Sequence, residues 1–444
     1  MKILWVCNIM LPVVATYLGR EVNNKEGWLT GLSDKILQNQ KENHIELAVA
    51  FPVAQEGNVK RWEIPLKNSE NTLHCYGFTE DVIHPEIYPP QLESQLKEIV
   101  NDFQPDVVHC FGTEFPHTLG ITKVCNPGKV LIGIQGLCKL YAESYLADLP
   151  QRVVNRVTFR DWLKKDSILQ QEQKFITRGR MEVQAIENTG HVTGRTWIDE
   201  KFAKDTNSKV TYHFMNETLR SNFYEGHWTE KNCEPYTIFL SQGDYPIKGL
   251  HYMLKAMPAI LQKYPQAKVY VAGNRITDYK TLKDKIKISS YGKYIRELMK
   301  QNNLQEKVIF LGRMNSEEMK TQYLKSSMFV CPSVIENSPN SLGEAMLLGV
   351  PCVTALCGGV PSIFTDGEDG IGYPGYGAKE YGSEPDKEQA QADRLAQAVI
   401  AMWTDEERRR QYTDHASKHA SATHDGQKNY ERLLEIYANI ATNV

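Results

Sequence analysis

The sequence predicts an α/β protein built from two doubly wound parallel sheets. Short apolar segments alternate with longer polar or amphipathic segments along both halves of the chain, and this alternation is typical of parallel strands joined by helices. A length of 444 residues exceeds what one hydrophobic core usually supports, so two domains are expected. The polar segment 206–232 precedes a strong strand at Tyr236–Leu240. We therefore place the domain linker near residues 225–235.

The predicted strands are short apolar segments, several of which stop at glycine or proline. In the first half they are Met1–Asn8, Ile45–Phe51, Asp106–Cys110, Lys129–Ile134 and His191–Val192, and in the second half Tyr236–Leu240, Lys268–Gly273, Val308–Gly312 and Met328–Cys331. Asn8 and Pro12 interrupt the first apolar run, which favours a strand over a signal peptide. The final helix, predicted from Gly426 to Ala441, has a single apolar face.

Composition limits the classes of function. The formal charge of −3 and the isoelectric point near 6.5 argue against a nucleic-acid binder. Nine cysteines are scattered without a Cys-x-x-Cys pair, which fits buried thiols in a reducing, cytoplasmic compartment better than disulfides. No apolar run of about 18 residues occurs. No His, Cys, Asp or Glu cluster at ligand spacing and no Asp-x-Asp sequence occurs, so no metal site and no cofactor are expected.

The segment Ser333–Gly349 indicates the most specific chemistry. Glu336 follows the predicted strand Met328–Cys331, and Glu344 lies eight positions later, inside a helix that begins at Pro339. A helix amino terminus attracts anions such as a diphosphate, and carboxylates accept hydrogen bonds from vicinal hydroxyls. The pattern therefore favours a nucleotide-sugar site. An ordinary strand-loop-helix with two solvated glutamates has about equal weight on spacing alone.

This segment resembles the Glu-x7-Glu signature of the retaining GT-B glycosyltransferases of family four, the group 1 family. Phe239–Gly249 is similar to the first strand and lysine-containing loop of the family's donor domain. Lys268–Gly273 and Val308–Gly312 resemble its next two strands, and Val353–Asp366 resembles the strand and Gly-Gly loop after the signature helix. The resemblance covers about 200 residues. It implies two Rossmann-like domains facing a deep cleft, at 1–230 and 231–425, with helix 426–444 returning to the first domain.

The resemblance implies a donor site in which Lys248 and Glu336 are the catalytic pair. The donor-binding residues would be Gly27, Gln242, Gly273, Gly312, Arg313, Pro339, Asn340, Ser341 and Glu344. The family usually has an arginine where this chain has Gln242, which removes a fixed positive charge. Arg195, Arg275 and Arg313 all follow predicted strands, and the sequence does not choose among them as the substitute.

On the acceptor side the resemblance points to three residues after strands of the first domain. His109 and Glu114 follow the strand at Asp106–Cys110, and Gln135 follows Lys129–Ile134, where the family often has histidine. Many relatives also have a second histidine where this chain has Phe111, so the catalytic role of that histidine cannot be transferred. Glu114 would orient the acceptor hydroxyl or, equally, cap a helix.

The resemblance implies retaining, metal-independent transfer of a hexose-type sugar from a UDP- or GDP-sugar to a hydroxyl acceptor in cell-surface polysaccharide or glycoconjugate synthesis. The alternatives are a GT-B phosphorylase or epimerase, and a non-catalytic nucleotide-sugar-binding partner of a glycan assembly complex. The basic segment 151–180 adds an expectation about location. Arg152, Arg156, Arg160 and Lys164 fall four apart, which on one helix would form a basic face for peripheral contact with the inner face of a membrane. An ordinary solvated helix is the commoner alternative.

Overall fold

The computed structural model describes residues 1–20, 27–54, 57–66, 72–277, 281 and 286–442. The chain forms two compact units. Unit 1 comprises Met1–Lys139, Phe175–Arg220 and His424–Val444, and unit 2 comprises Leu140–Lys174 and Ser221–Thr423. This division differs from the predicted domains mainly in residues 140–174, which the sequence placed in the first domain.

Strands and helices alternate along the described residues. The strands are β1 Lys2–Val6, β2 Glu46–Val53, β3 Lys60–Pro65, β4 Thr72–Thr79, β5 Val107–Phe111, β6 Val130–Gly133, β7 His191–Gly194, β8 Thr211–Phe214, β9 Glu234–Leu240, β10 Lys268–Ala272, β11 Val308–Gly312, β12 Ser326–Cys331, β13 Cys352–Leu356 and β14 Ile371–Pro374. The helices are α1 Pro12–Tyr17, α2 Gly27–Gln38, α3 Gln40–Asn43, α4 Leu92–Phe103, α5 Pro116–Val124, α6 Cys138–Glu143, α7 Gln151–Val154, α8 Phe159–Lys164, α9 Ile168–Glu187, α10 Trp197–Thr206, α11 Leu250–Lys263, α12 Ser290–Gln301, α13 Ser316–Lys325, α14 Asn340–Leu347, α15 Lys387–Thr404, α16 Glu406–Thr423 and α17 Gly426–Thr442.

Unit 1 is organised around an eight-stranded sheet with the order β3-β4-β2-β1-β5-β6-β7-β8. All its strands are parallel except β3, which pairs antiparallel with β4. The strand order reverses direction at β1, as in a doubly wound fold, where ligands bind beyond the strand carboxyl ends. The carboxyl ends of β5, β6 and β7 therefore lie at one edge of this sheet.

The predicted final helix is confirmed as α17. It lies in unit 1, where it packs on α2 and β5. Tyr430, Leu433, Tyr437 and Ile440 are buried as the apolar face predicted, whereas Leu434 is only partly buried. The tyrosine hydroxyl of Tyr437 also accepts a hydrogen bond from Trp5 Nε1 on β1 at 2.9 Å, so α17 is fixed to the middle of the sheet.

Unit 2 contains a six-stranded sheet with the order β11-β10-β9-β12-β13-β14, and all its strand pairs are parallel. Burial on both faces explains the apolar sequences of its central strands; every residue of β12 is buried. The loops after β9, β10, β11 and β12 all leave the same edge of the sheet. We call this edge, formed by the four loops, the donor edge, after the donor-binding residues that the sequence predicts there.

Residues 140–174 belong to unit 2 because they are hydrogen-bonded to its helices. The carbonyl oxygen of Ala147 accepts hydrogen bonds from His251 Nε2 at 3.1 Å and from Tyr252 Oη at 2.9 Å. The carboxylate of Asp161 accepts from the backbone N–H of Ser290 at 2.9 Å, at the start of α12. These contacts connect positions over 100 residues apart, so no local sequence pattern indicates them.

The predicted basic face of a single helix through residues 151–180 is wrong. The chain leaves helical geometry after α7, and α8 begins anew at a capping box in which Thr158 and Asp161 bond each other's backbone. A capping box marks a helix start, which breaks the four-residue spacing. Two of the four cations instead bind one carboxylate: Arg152 and Arg156 lie 3.4 Å and 3.0 Å from Glu297.

Candidate functional site

Lys248 lies on the donor edge, in the loop after β9. It ends a 3-10 turn, Pro246–Lys248, and Gly249 follows with a positive φ of 71°. A Cβ at Gly249 would overlap the carbonyl oxygen of Pro332, which follows β12. Only glycine combines this φ with this close approach, so the loop after β9 lies directly against the loop after β12.

That packing brings the two predicted catalytic residues together. Lys248 Nζ lies 2.6 Å from Glu336 Oε1, and Ser333 Oγ donates to the same oxygen at 2.7 Å. The backbone N–H of Val334 donates to the carbonyl oxygen of Ile247 at 2.8 Å, which joins the two loops. The side chains of Lys248 and Glu336 are 19% and 9% exposed. The pair is thus fixed in position but still reachable from solvent.

The charge of Lys248 is secured by its surroundings. Burial alone lowers the pKa of this amine, but the Glu336 carboxylate and the hydroxyls of Tyr245 and Tyr141 act in the opposite direction. The net effect places the pKa of Lys248 well above its usual value. Lys248 is therefore a permanent cation at neutral pH, suited to meet negative charge that develops on a leaving group.

The second glutamate of the signature is on α14, which begins at Asn340 after the N-cap residue Pro339. Glu344 is 3% exposed. The carbonyl oxygen of Ser341 accepts a hydrogen bond from Tyr323 Oη at 2.9 Å, which fixes the first turn of the helix against α13. The positive end of the helix dipole therefore points toward the same edge as Glu336.

The loops after β9, β10 and β11 bring further predicted donor-binding residues to this edge. Gly273 N–H donates to the Gly312 carbonyl at 3.0 Å, and both glycines have positive φ. Arg313 Nε donates to Asn274 Oδ1 at 2.8 Å. Gln242 lies beside Gly273, within van der Waals range of the position a Cβ would take there.

Three arginines were predicted as possible substitutes for the positive charge that Gln242 lacks, and the structure separates them by position. Arg195 lies in unit 1, where it forms an ion pair with the carboxylate of Glu217 at 2.8 Å, both residues being buried. Arg275 and Arg313 lie on the donor edge. The guanidinium of Arg275 lies next to Gly312, where a Cβ would be 3.2 Å from its Nε. Only these last two candidates share the edge with Lys248.

In unit 1, His109 is fully buried on β5. Its Nδ1 lies 2.7 Å from Tyr437 Oη, and burial lowers its pKa to about 3. Its Nε2 has no hydrogen-bond partner among the described residues and borders a cavity of about 20 Å³, room for about one water molecule. His109 is therefore a neutral group inside unit 1 and is not displayed on its surface.

Glu114 and Gln135 are brought together in unit 1. Both side chains lie against Gly112, which has a φ of 85° and no Cβ to keep them away. The carbonyl oxygen of Glu114 accepts from Arg178 Nε at 2.9 Å. The N-cap residue of α5 is Phe115, and Glu80 accepts a hydrogen bond from the backbone N–H of His117 in the first turn of this helix at 2.8 Å.

Gly27 is the first residue of α2. The sequence predicts that Gly27 binds the donor, and residues 21–26, which precede it, lie outside the described part of the chain.

Glu182 is a buried acidic residue that the sequence did not predict as part of a site. It lies on α9 with no exposure, and it accepts hydrogen bonds from Thr113 Oγ1 at 2.5 Å, Cys138 N–H at 3.0 Å and Lys139 N–H at 2.9 Å. Burial is the largest effect and raises its pKa to about 7, against the lowering effect of these donors. Glu182 connects the loops after β5 and β6, which carry Glu114 and Gln135.

Among the described residues, no group of three or more His, Cys, Asp or Glu side chains has a geometry that could hold a metal ion. Within the same residues, no helix has both the length and the apolar character that crossing a membrane requires.

The second unit matches a known family. Residues 225–419 match the family model described as "Glycosyl transferases group 1", which confirms the resemblance seen in the sequence. An uncharacterized glycosyltransferase of Methanocaldococcus jannaschii is 31% identical over 138 residues, covering 31% of each chain. The D-inositol 3-phosphate glycosyltransferase of Corynebacterium urealyticum is 24% identical over 202 residues, covering 44% of this chain and 41% of the relative. The chain thus spans less than half the length of the curated relatives it matches.

Solved structures match the whole chain. Sucrose-phosphate synthase from Thermosynechococcus elongatus aligns with a TM-score of 0.69 at 14% identity over 100% of both chains. Anabaena HepE in complex with UDP-glucose aligns with a TM-score of 0.64 at 13% identity, over 99% of this chain and 100% of HepE. At this level of identity the likeness shows the fold, and it confirms the predicted GT-B class of two Rossmann-like units.

Proposed function

We infer that this chain, whose residues 225–419 match the family model of the group 1 glycosyl transferases, transfers a sugar from a nucleoside diphosphate donor to a hydroxyl acceptor. The observation that carries this proposal is the contact of Lys248 with Glu336 at 2.6 Å on the donor edge. A permanent cation suits the diphosphate of such a donor, and a carboxylate that accepts hydrogen bonds suits its sugar hydroxyls. Here the two groups lie side by side at the carboxyl ends of β9 and β12.

Lys248 is proposed to stabilise the leaving diphosphate. The bond from the anomeric carbon to the phosphate oxygen breaks in an oxocarbenium-like transition state, so negative charge moves onto phosphate while positive charge builds on the sugar. A cation already held in place stabilises that change without further reorganisation. The positive end of α14 supports the same charge, and we propose that no divalent metal is needed.

Glu336 and Glu344 are proposed to bind the two ends of the donor. Glu336 would accept hydrogen bonds from sugar hydroxyls, and Glu344 would accept from the ribose diol. We propose retention of anomeric configuration by attack on the face from which the diphosphate leaves, with a phosphate oxygen taking the acceptor's proton. This route requires no carboxylate nucleophile below the sugar ring.

The donor is proposed to be a UDP- or GDP-sugar with a hexose-type sugar. HepE, which shares the fold, has been crystallised with UDP and with UDP-glucose, which supports uridine as the first base to test. The acceptor is proposed to be a hydroxyl of a cell-surface polysaccharide or glycoconjugate, with Glu114 and Gln135 beside it.

The experiment compares Lys248→Ala and Glu336→Ala with Lys255→Ala. Lys255 provides a matched control because it forms a similar, partly buried pair with Glu388 at 2.7 Å in the same unit. Release of nucleoside diphosphate is measured with UDP- and GDP-sugars, with and without chelator. Loss of one group that stabilises transition-state charge should lower kcat roughly 100-fold to 1000-fold, whereas Lys255→Ala should retain kcat. Folded Lys248→Ala and Glu336→Ala proteins with normal rates would overturn the assignment.

One observation favours a second candidate, a non-catalytic nucleotide-sugar-binding protein. Gln242 replaces the usual arginine, and its side chain hydrogen-bonds Tyr245, so it supplies no charge to a diphosphate. Such a protein would bind the donor without consuming it. Thermal stabilisation by UDP or GDP without any release of nucleotide from the sugar conjugate would support this candidate.

A further inference from the structure

Unit 2 contains a cavity of about 900 Å³. We call it the basic groove. It lies between α12, the edge strand β11 and the segment 156–159, and most of its charged lining is cationic. The charged side chains that line it are Arg156, Arg275, Lys293, Arg296, Lys300 and Glu297. Among the described residues, five of the six charged side chains that line the groove are therefore cations, although the whole chain is slightly acidic.

The cations of α12 are directed to solvent. Lys293, Arg296 and Lys300 are exposed and occur at intervals of three and four residues, which places them on one helical face. Among the described residues, Lys293 and Lys300 have no carboxylate within ion-pair distance. The one carboxylate among the described residues that line the groove, Glu297, is already shared by Arg152 and Arg156. The ammonium groups of Lys293 and Lys300 are therefore not neutralised by a carboxylate in the described part of the chain.

Apolar side chains accompany this charge. Val308 and Phe310 of β11 line the groove, and Val157 and Phe159 form its rim, each 58% exposed. Single exposed apolar residues are common on protein surfaces, but contiguous ones mark interaction sites.

The apolar surface continues beyond the rim onto α8. Trp162 and Leu163 are 67% and 65% exposed, and the ring of Phe159 packs 5.9 Å from that of Trp162. We call Val157, Phe159, Trp162 and Leu163 the apolar ridge. The ridge and the groove are adjacent because Val157 and Phe159 belong to both.

We propose that the basic groove and the apolar ridge together bind the surface of an anionic lipid bilayer. Cations attract phosphate headgroups, and a Trp-containing apolar ridge suits the boundary between headgroups and acyl chains. The two chemistries side by side match a phosphorylated amphiphile, whereas an inorganic anion uses only the charge. This site differs from the continuous basic helix expected from the sequence, because α12, β11 and α8 build it in three dimensions. It does not depend on which reaction the donor edge performs.

The first test measures co-sedimentation of the full chain with vesicles. Phosphatidylcholine vesicles are compared with vesicles of phosphatidylcholine and phosphatidylglycerol. Binding to the anionic vesicles that weakens as salt rises is the expected result, since exposed charges are screened. Equal binding to both vesicle types, or binding to neither, overturns the proposal. Thermal stabilisation by millimolar inorganic phosphate without vesicle binding would also overturn it, in favour of a soluble phosphate ligand.

Matched variants locate the surface. Lys293→Glu with Lys300→Glu should weaken binding to anionic vesicles by at least about tenfold, whereas Lys60→Glu with Lys97→Glu, an equal charge change at exposed positions of unit 1, should weaken it less. Trp162→Ala should weaken binding several-fold more than Trp197→Ala, whose side chain is 52% exposed in unit 1. Equal effects within either pair would exclude the groove or the ridge.

A direct probe separates lipid insertion from binding to protein. Lipids brominated along the acyl chains should quench more tryptophan fluorescence in the wild type than in Trp162→Phe. The same quenching in both would show that Trp162 does not enter the bilayer and would overturn the proposal. Concentration-dependent dimerisation that Trp162→Ala abolishes, without vesicle binding, would instead assign the ridge to a second copy of the chain.

Discussion

The carboxyl edges of the two sheets hold their polar groups in opposite ways. On the donor edge of unit 2, Lys248 and Glu336 bind each other at partial exposure, 19% and 9%. At the carboxyl edge of unit 1, His109 and Glu182 are fully buried and bound to distant elements. A ligand can replace a partner in the first arrangement, because both side chains reach solvent. In the second, a replaced partner would leave a buried polar group unsatisfied.

The difference in exposure separates two kinds of polar site, which the sequence alone does not distinguish. Lys248 and Glu336 depend on close backbone packing between two loops, and their charges remain available. At physiological pH His109, with a pKa of about 3, is neutral, and Glu182, with a pKa of about 7, is protonated in about half of the molecules. We infer that unit 1 uses these groups to arrange its loops, and that the charges for chemistry come from unit 2.

The largest effect on stability is expected at Gly249, where the packing of the donor edge is closest. In Gly249→Ala the new Cβ would overlap the Pro332 carbonyl, and the φ of 71° would be strained as well. Together these should lower the free energy of unfolding by roughly 3 kcal/mol or more and weaken donor binding, since Lys248 must move. Urea unfolding and nucleotide titration measure the two effects.

Gly377 is the matched control. It has nearly the same φ, 73°, but no heavy atom lies within 4 Å of its Cβ position. Gly377→Ala should therefore cost only the conformational strain, about 1 kcal/mol. If both variants lost equal stability and bound nucleotide normally, the close packing at Gly249 would not be what positions Lys248. The proposed difference between the two sheet edges would then have no support from packing.

The next effect concerns Glu182 and appears as a pH dependence. Its folded-state pKa is raised from 4.5 to about 7, so the folded state favours the protonated carboxyl. The stability this provides is complete below about pH 4.5 and is lost as pH rises through about 7; the shift corresponds to about 3 kcal/mol. Glu182→Gln should be less stable at pH 5, because the amide group cannot accept every hydrogen bond, but should show a flatter decline up to pH 8.

Other titrating groups near Glu182 require a difference measurement. The Glu114 carboxylate contributes to raising the pKa of Glu182, and His109, whose pKa is lowered to about 3, destabilises the fold on acidification. Both are present in the wild type and in the variant, so the difference between their urea-unfolding curves isolates Glu182. Glu187→Gln, exposed at the end of α9, controls for net charge. Parallel pH curves for wild type and Glu182→Gln would contradict a raised pKa.

Most strands that are buried on both faces were predictable. The sequence located β1, β2, β5, β6, β7 and β9 through β12 as short apolar runs, but it missed the inner strand β4, in which Thr, His and Gly interrupt the apolar residues. The edge strands β3 and β8 were missed because their residues are largely exposed, and β8 lies in a segment that was read as polar. An edge strand has one neighbour and partial cover, so its sequence lacks a continuous apolar run.

The donor edge was predictable because its residues lie in short local segments, each following one strand. Residues 140–174 and Glu182 were not, because their contacts join distant parts of the chain. Asp161 contacts Ser290, and Glu182 contacts Thr113 and Cys138. Such contacts depend on tertiary packing, which overrides the spacing of charges along one segment. The basic face predicted from four-residue spacing failed for the same reason.

The smallest effect tests whether His109 belongs to the core, as its burial indicates. Tyr437 Oη accepts from Trp5 Nε1 at 2.9 Å and lies 2.7 Å from His109 Nδ1, so Tyr437→Phe leaves two buried groups unsatisfied and should cost about 2 kcal/mol in urea unfolding. Tyr430→Phe, on the same helix, loses one partly buried bond from Asn43 and should cost about 1 kcal/mol or less, because water can replace the bond. Donor turnover should be unchanged in both variants. If Tyr437→Phe kept its stability but had a lower kcat, His109 would contribute to catalysis. Both units would then supply groups to the reaction.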